Sequence, residues 1–167
     1  ASPKGPLSSP RYGLAATGNS NFGYFGGGRD PNTTATVDRI DYSSDTATAV
    51  AKGPLSQARY YFAATGNADF GYFGGGSPGP KSTVDRIDYS NDTPNASPKG
   101  PLSSPRYSLA ASSSQANGIT DPTFFPASSV RTGEIASQGF DTGYFGGGLP
   151  TTSTVDRIDY SSDTSNA

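Results

Sequence analysis

The sequence predicts an all-β protein made of repeated four-stranded units, and its composition is the first observation that leads there. Hydrophobic residues make up 32% of the 167 residues, while the chain contains 22 Gly and 14 Pro. Such a composition is also found in disordered chains. However, the 10 Tyr and 9 Phe recur at fixed places in the sequence. Short strands joined by Gly- and Pro-rich turns are therefore the expected structure.

The second observation is an internal repeat, which dominates the organisation of the chain. Three motifs recur in the same order: "KGPLS" begins at Lys4, Lys52 and Lys99, "GYFGGG" at Gly23, Gly71 and Gly143, and "TVDRIDYS" at Thr36, Thr83 and Thr154. The first two intervals between the Lys residues are 48 and 47 residues. The repeat divides the chain into units 1–49, 50–95 and 96–167, with an inserted loop at about 112–141 in the third unit.

The third observation is the pattern within each unit, which predicts four strands. In the first unit these are residues 11–17, a strand from Phe22 through "FGYFGG", the "TVDRIDYS" segment, and a fourth strand that leads into the next "KGPLS". Turn residues separate the strands at intervals typical of all-β folds, and no segment has a long helical period. In the "SSDT" and "SNDT" turns, Asp45, Asp92 and Asp163 are expected to form Asx-turns.

The repeated motifs resemble the kelch repeat. "YFGGG" lies where that family has a strand ending in a Gly pair, "VDRIDYS" where the next strand ends, and "PLSSPRYGLA" where the following repeat opens. The chain departs from the family in having no Trp in the last strand. A looser similarity links the near-identical units to repeat arrays of marine phage and bacterial surface proteins. The resemblance implies kelch-like β-propeller blades, three four-stranded blades per chain.

Three blades do not close a propeller, because propellers typically have 4–8 blades. The sequence pattern places a fourth strand at residues 1–7 and a third strand at 155–160. We therefore expect the N-terminal strand of one copy to complete the last blade of another, so that a homodimer gives six blades and leaves no open sheet edge. The alternative is that the chain is a segment of a longer repeat array.

The charged residues follow the repeat as well. Nine of the 12 basic residues and nine of the 14 acidic residues occupy equivalent positions in all three units. A single active site needs charges that break such symmetry, whereas Arg pairs well with carboxylates in repeated structural contacts. The sequence predicts a structural ion-pair network formed by Arg39, Asp41, Arg86, Asp88, Arg157, Asp159, Arg11, Arg59 and Arg106.

Composition argues against several functional classes. The net charge is −2 with no basic run, which disfavours nucleic acid as a partner, and no apolar stretch approaches the ~20 residues of a membrane span. Cys and His are both 0, which removes the usual thiolate and imidazole ligands and nucleophile–His pairs. We expect no catalytic site, no metal site and no cofactor. Nothing in the sequence groups Asp121, Glu134 and Asp141 as glycosidase carboxylates.

The inserted loop is the place where the repeat symmetry breaks. It contains Phe124 and Phe125 in a segment bounded by Pro, together with Arg131 and the single Glu of the chain, Glu134. Long insertions in rigid scaffolds often bind partners. A partner-binding loop and a segment that packs back on the scaffold remain alternatives.

These features predict a non-catalytic structural or adhesion module on a virion, fibre or cell surface, which is extracellular or virion-associated. The alternative is a lectin-like propeller that binds surface glycans through aromatic residues repeated once per blade: Tyr12, Tyr60 and Tyr107. A third possibility is an enzyme segment whose catalytic part lies elsewhere. Fold alone does not decide among these functions.

Overall fold

A computed structural model describes residues 1–113 and 141–164, and these residues form an all-β structure of three antiparallel sheets. The first sheet consists of β1 (Ala15–Gly18), β2 (Phe22–Gly26), β3 (Val37–Asp41) and β4 (Val50–Lys52). The second consists of β5 (Ala63–Gly66), β6 (Phe70–Gly74), β7 (Val84–Asp88) and β8 (Ser97–Pro98). The third has three described strands, β9 (Ala110–Ser113), β10 (Thr142–Gly146) and β11 (Val155–Asp159).

Each sheet is a meander with the same register. The central pairing is Tyr24 opposite Arg39 in the first sheet, and the same residue types pair between β6 and β7 and between β10 and β11. A short 3-10 turn, Tyr42–Ser44, follows β3. The repeated motifs therefore fold into repeated strands at equivalent positions.

The first strand of each sheet is shorter than the sequence predicted. Residues 11–17 were expected to be extended, whereas β1 begins only at Ala15. The cause is a left-handed backbone two positions before each strand: φ is 67° at Gly13, 53° at Tyr61 and 53° at Ser108. Because this conformation interrupts an extended chain, the Arg that precedes it lies outside the strand.

The fourth strands show how the sheets share the chain. The strand β4 pairs with β3 although it lies in the second sequence unit, so each unit begins with the last strand of the preceding sheet. Residues 1–7, predicted as a strand of this kind, form no strand within the described chain. Their position is nevertheless fixed, because the Gly5 amide donates to the Asp45 carbonyl at 2.8 Å.

The core consists of two apolar clusters, one between each pair of successive sheets. Tyr24 and Val37 of the first sheet pack against Leu55, Phe62 and Phe73 of the second unit. The equivalent residues of the second sheet and third unit form the other cluster. We call the side of a sheet that carries Tyr24, Tyr72 or Tyr144 its front face, and the side that packs on the preceding front face its back face.

The glycines of "GYFGGG" let the sheets approach closely. A Cβ on Gly26 would lie 2.9 Å from a ring carbon of Phe73, and one on Gly74 would lie 2.7 Å from Phe145. Both distances are too short for a real side chain. The next glycine, Gly27, has φ 58°, a conformation that glycine adopts readily, and β2 ends just before it.

Candidate functional site

Charged and hydrogen-bonding side chains cluster at the contacts between sheets. Asp92, in the second unit, accepts hydrogen bonds from two side chains of the first sheet: the Tyr24 hydroxyl at 2.9 Å and the Arg39 guanidinium at 2.8 Å. Lys52, at the end of β4, lies 3.1 Å from its other carboxylate oxygen. Burial favours the neutral acid, but the Tyr24, Lys52 and Arg39 contacts outweigh it and lower the pKa of Asp92.

The same arrangement recurs between the second and third sheets. Asp163 accepts from the Tyr72 hydroxyl at 2.9 Å and from Arg86 at 2.7 Å, and Lys99 lies 3.3 Å from it. Burial raises the pKa of the Tyr72 phenol, and its bond to Asp163 raises it further. One carboxylate thus joins two consecutive sheets at each contact.

Aromatic stacking reinforces each of these contacts. The rings of Tyr24 and Tyr89 stack with centroids 4.8 Å apart, as do those of Tyr72 and Tyr160. The Tyr89 hydroxyl also lies 3.1 Å from Thr17 in the preceding sheet. The Tyr160 hydroxyl lies 2.8 Å from Thr65 in the same way, so each stacked pair is also held by a hydrogen bond to a Thr of the preceding sheet.

A second set of ion pairs lies within the units and is buried. The pairs are Arg11 with Asp38, Arg59 with Asp85, and Arg106 with Asp156. Arg59 also donates to the Phe73 carbonyl, and Asp85 accepts the Ser56 amide. Burial lowers the pKa of Arg59, and the Asp85 carboxylate opposes that effect. This set holds the segment before each first strand against its own sheet.

The structure corrects the predicted roles of two groups of Asp. Asp41, Asp88 and Asp159 were assigned to the ion-pair network, but each instead caps the turn that follows by accepting the amide of the residue two positions later. Asp45, Asp92 and Asp163 were assigned to Asx-turns, but each accepts ion pairs from Lys or Arg. The Asp that caps the turn is the one in "DYS", such as Asp41, whereas the sequence analysis assigned the Asx-turn to the Asp four residues later, such as Asp45.

The front face of the third sheet is open. Val155 is 63% exposed and Tyr144 38% exposed, whereas Val37 and Tyr24 of the first sheet are fully buried. Val155 and Tyr144 line an apolar groove together with Ala110. Among the ion pairs of residues 1–113 and 141–164, none includes Arg157, the equivalent of Arg39.

The back face of the first sheet is open as well. Tyr42 is 53% exposed, whereas its equivalents Tyr89 and Tyr160 are nearly buried. Asp45, the equivalent of Asp92, has Lys4 at 3.3 Å as its one ion-pair partner in the described chain. Each open face thus carries half of the contact that joins the other sheets.

The tyrosines predicted to stack on glycans lie in different surroundings. Tyr12 is 51% exposed, and its ring centroid is 6.4 Å from that of Tyr61, which in turn lies 4.9 Å from Tyr60. The Arg29 guanidinium lies 5.6 Å above the Tyr60 ring. Tyr107 is half-buried in the third unit. Sequence reasoning missed Tyr61, although "RYYF" departs there from "RYGL" and "RYSL".

The predicted partner-binding residues Phe124, Phe125, Arg131 and Glu134 lie outside the described residues, as does Asp121. Asp141 is described, and its carboxylate accepts a hydrogen bond from the Asn67 side chain at 2.8 Å. Within the described part of the chain, no group of three or more acidic residues is placed to hold a metal ion. The same residues contain no helix with the length and apolar character needed to cross a membrane.

The chain matches no protein-family model and shows no detectable similarity to a curated protein sequence. Its function must therefore be argued from the contacts described above.

Proposed function

We propose that this chain is a non-catalytic structural or adhesion module built from kelch-like β-propeller blades. Three blades come from one chain, and a homodimer closes a ring of six. Its place is extracellular or virion-associated, on a virion, fibre or cell surface, where it contacts other virion or fibre proteins.

The observation that carries this proposal is the use of the charged groups at the contacts between sheets. Asp92 binds Tyr24, Arg39 and Lys52 simultaneously, and Asp163 repeats the arrangement one sheet later. Groups that repeat in this way hold a scaffold together, and the two copies at Asp92 and Asp163 are occupied by their neighbours. A single reaction centre would need a set of side chains found once.

Two measurements test this proposal together. Light scattering is expected to give twice the chain mass of 17.1 kDa, and class averages of negatively stained particles are expected to show a six-bladed disc. A monodisperse monomer would contradict the closed homodimer. Turnover of a glycoside or ester substrate by the purified protein, with no turnover in a control preparation that lacks the chain, would contradict the non-catalytic role.

Carbohydrate binding is the second candidate, and one cluster of exposed aromatic rings favours it. The Tyr61 ring lies within contact distance of both Tyr12 and Tyr60, and the Arg29 guanidinium lies over the Tyr60 ring. Exposed Tyr rings present an apolar face on which a sugar ring can stack, while their hydroxyls remain available as hydrogen-bond partners.

Tyr61→Gly is a sharp test of this second candidate. Tyr61 has a left-handed backbone that favours Gly, and Gly13 occupies the equivalent position in the first unit. The variant should therefore remain folded while losing the central ring of the cluster. Glycan-array binding by the wild-type protein that disappears in Tyr61→Gly would support a lectin-like module. A featureless wild-type array would favour the structural role.

A further inference from the structure

We propose that the front face of the third sheet binds the back face of the first sheet in a second copy of this chain, with Asp45 of the partner subunit receiving Arg157 and Tyr144. This inference rests on the proposed homodimer and names the residues that form it. The two contacts of a closed pair of chains are then identical.

Charge complementarity is the first argument. Arg39 pairs with Asp92 at 2.8 Å and Arg86 pairs with Asp163 at 2.7 Å, always from the front of one sheet to the next unit. Arg157 occupies the position in the third sheet that Arg39 and Arg86 occupy in the first and second. The remaining member of the Asp series is Asp45, whose side chain is 40% exposed and bound by Lys4 alone among the described ion pairs.

The tyrosines follow the same series. Tyr24 and Tyr72 donate to the carboxylates of that series and stack on the Tyr of the next unit. Tyr144 is equivalent to them and is exposed, with its hydroxyl 3.5 Å from Thr142. Tyr42 of the partner subunit is the exposed ring that would complete the stack.

Shape is the second argument. Gly26 and Gly74 are each covered by a Phe of the next sheet, Phe73 and Phe145. At Gly146 an added Cβ would meet nothing nearer than Val155 at 3.5 Å. Phe25 is equivalent to those two Phe and is only half-buried, so the partner subunit's Phe25 fits the space over Gly146.

The third argument is that the described residues of the third sheet include no fourth strand. The first twelve residues, "ASPKGPLSSPRY", are identical to residues 96–107, in which Ser97 and Pro98 pair with β7 as strand β8. The first segment is anchored in the same way as its copy. The Gly5 amide donates to the backbone carbonyl of Asp45 at 2.8 Å, and the Gly100 amide donates to the backbone carbonyl of Asp163 at 2.8 Å. Ser2 and Pro3 of the partner subunit can therefore pair with β11.

The occupant is a second copy of this chain, because the open groups named above on one face have their counterparts on the other face of the same chain. The repeat also limits the number of copies. Six is the multiple of three blades that falls within the usual range of about 4–8 for propellers.

Charge reversal tests the pairing directly. Arg157→Glu and Asp45→Lys should each raise the dissociation constant of the dimer roughly 30-fold or more, because each leaves a like-charge pair in the contact. The double variant should recover a large part of the affinity. Asp69→Lys is the matched control, since it makes the same charge change at an exposed position of the second unit. The mass of the dimer in solution should be the same for this variant as for the wild type.

Gly146→Ala tests the shape of the contact without touching a charge. The added methyl group has room within one chain, so thermal unfolding of the dilute monomer should be unchanged. Dimer formation measured by light scattering should weaken, because the Phe25 ring of the partner subunit would meet the new Cβ.

The outcomes separate this inference from the proposed function. A wild-type dimer that is insensitive to Arg157→Glu, Asp45→Lys and Gly146→Ala would overturn the contact described here and leave a homodimer formed by other surfaces. A wild-type protein that stays a folded monomer at all concentrations would overturn the contact and the six-bladed closure together. The glycan and turnover assays test the non-catalytic role independently of both results.

Discussion

Tyr72 and Tyr160 lie in successive sheets, and their rings stack with an interplanar angle of 15°. Tyr24 and Tyr89 repeat this geometry at the preceding contact with an angle of 16°. In each pair, one hydroxyl donates to the carboxylate that joins the sheets and the other lies beside a Thr of the neighbouring sheet. The stacked pair is the most regular element of the contact between sheets.

Truncation of one stacked ring should be strongly destabilising. Tyr89→Ala is expected to lower the free energy of unfolding by about 3–5 kcal/mol, because it removes a buried aromatic ring and leaves a cavity. Tyr12→Ala, at an exposed ring, should change it by less than about 0.5 kcal/mol. Urea unfolding of the two variants gives the comparison, and equal losses would contradict the assigned packing.

Alkaline pH should unfold the chain through its buried tyrosines. Burial raises the pKa of Tyr24, Tyr72, Tyr89 and Tyr160 above the ordinary phenol value. A raised folded-state pKa contributes stability that is present below the ordinary value of about 10 and is lost as the pH rises beyond it. Absorbance at 295 nm should show a class of tyrosines that ionises above the ordinary phenol value, together with unfolding. A single class at the ordinary value would contradict the burial.

Acid should destabilise the contact between the first two sheets. The pKa of Asp92 is lowered in the folded chain, so its contribution is present above the ordinary carboxyl value of about 3.9 and is lost as the pH falls below it. Asp92→Asn is expected to lower the melting temperature at pH 7 and to flatten its decline between about pH 5 and 2. The matched control is Asp69→Asn, at an exposed turn, whose profile should follow the wild type.

The buried pair within the second unit should be sensitive to loss of one partner. Arg59 and Asp85 are fully buried and 3.0 Å apart, so Asp85→Ala leaves an uncompensated guanidinium and should cost about 3–5 kcal/mol. Asp88→Ala, three residues later, removes an exposed turn cap and should cost about 1 kcal/mol. Chemical denaturation at neutral pH checks both, and similar losses would contradict the distinction between pair and cap.

The sequence alone was sufficient to predict the strand order, because turn residues and aromatic motifs recur with the repeat. Of the six arginines that it assigned to an ion-pair network, all except Arg157 lie in ion pairs of the described residues. It did not identify the correct carboxylates, because Asp41 and Asp45 are both close to a turn and the partner of Arg39 is Asp92, 53 residues away. Such pairings depend on how the sheets stack on one another, and a local sequence pattern does not carry that information.

The length of the first strands was also beyond sequence reasoning. Gly13 favours a left-handed backbone, but Tyr61 and Ser108 adopt it too. Their amides continue a series of bonds between units, from Tyr61 to the Gly13 carbonyl and from Ser108 to the Tyr61 carbonyl, both at 2.7 Å. Contacts between units therefore override the local preference of these residues.

The hairpin between the first two strands of each sheet keeps its pairing whatever the length of its connection. Gly18 pairs with Gly23 across a short turn, and Ser113 pairs with Gly143 in the same register although the connection is much longer. Duplication and drift can thus lengthen this tip in any one copy without altering the stacking of its neighbours. The tip of this hairpin is therefore a site at which the scaffold can acquire new sequence, natural or grafted, while the strands keep their register.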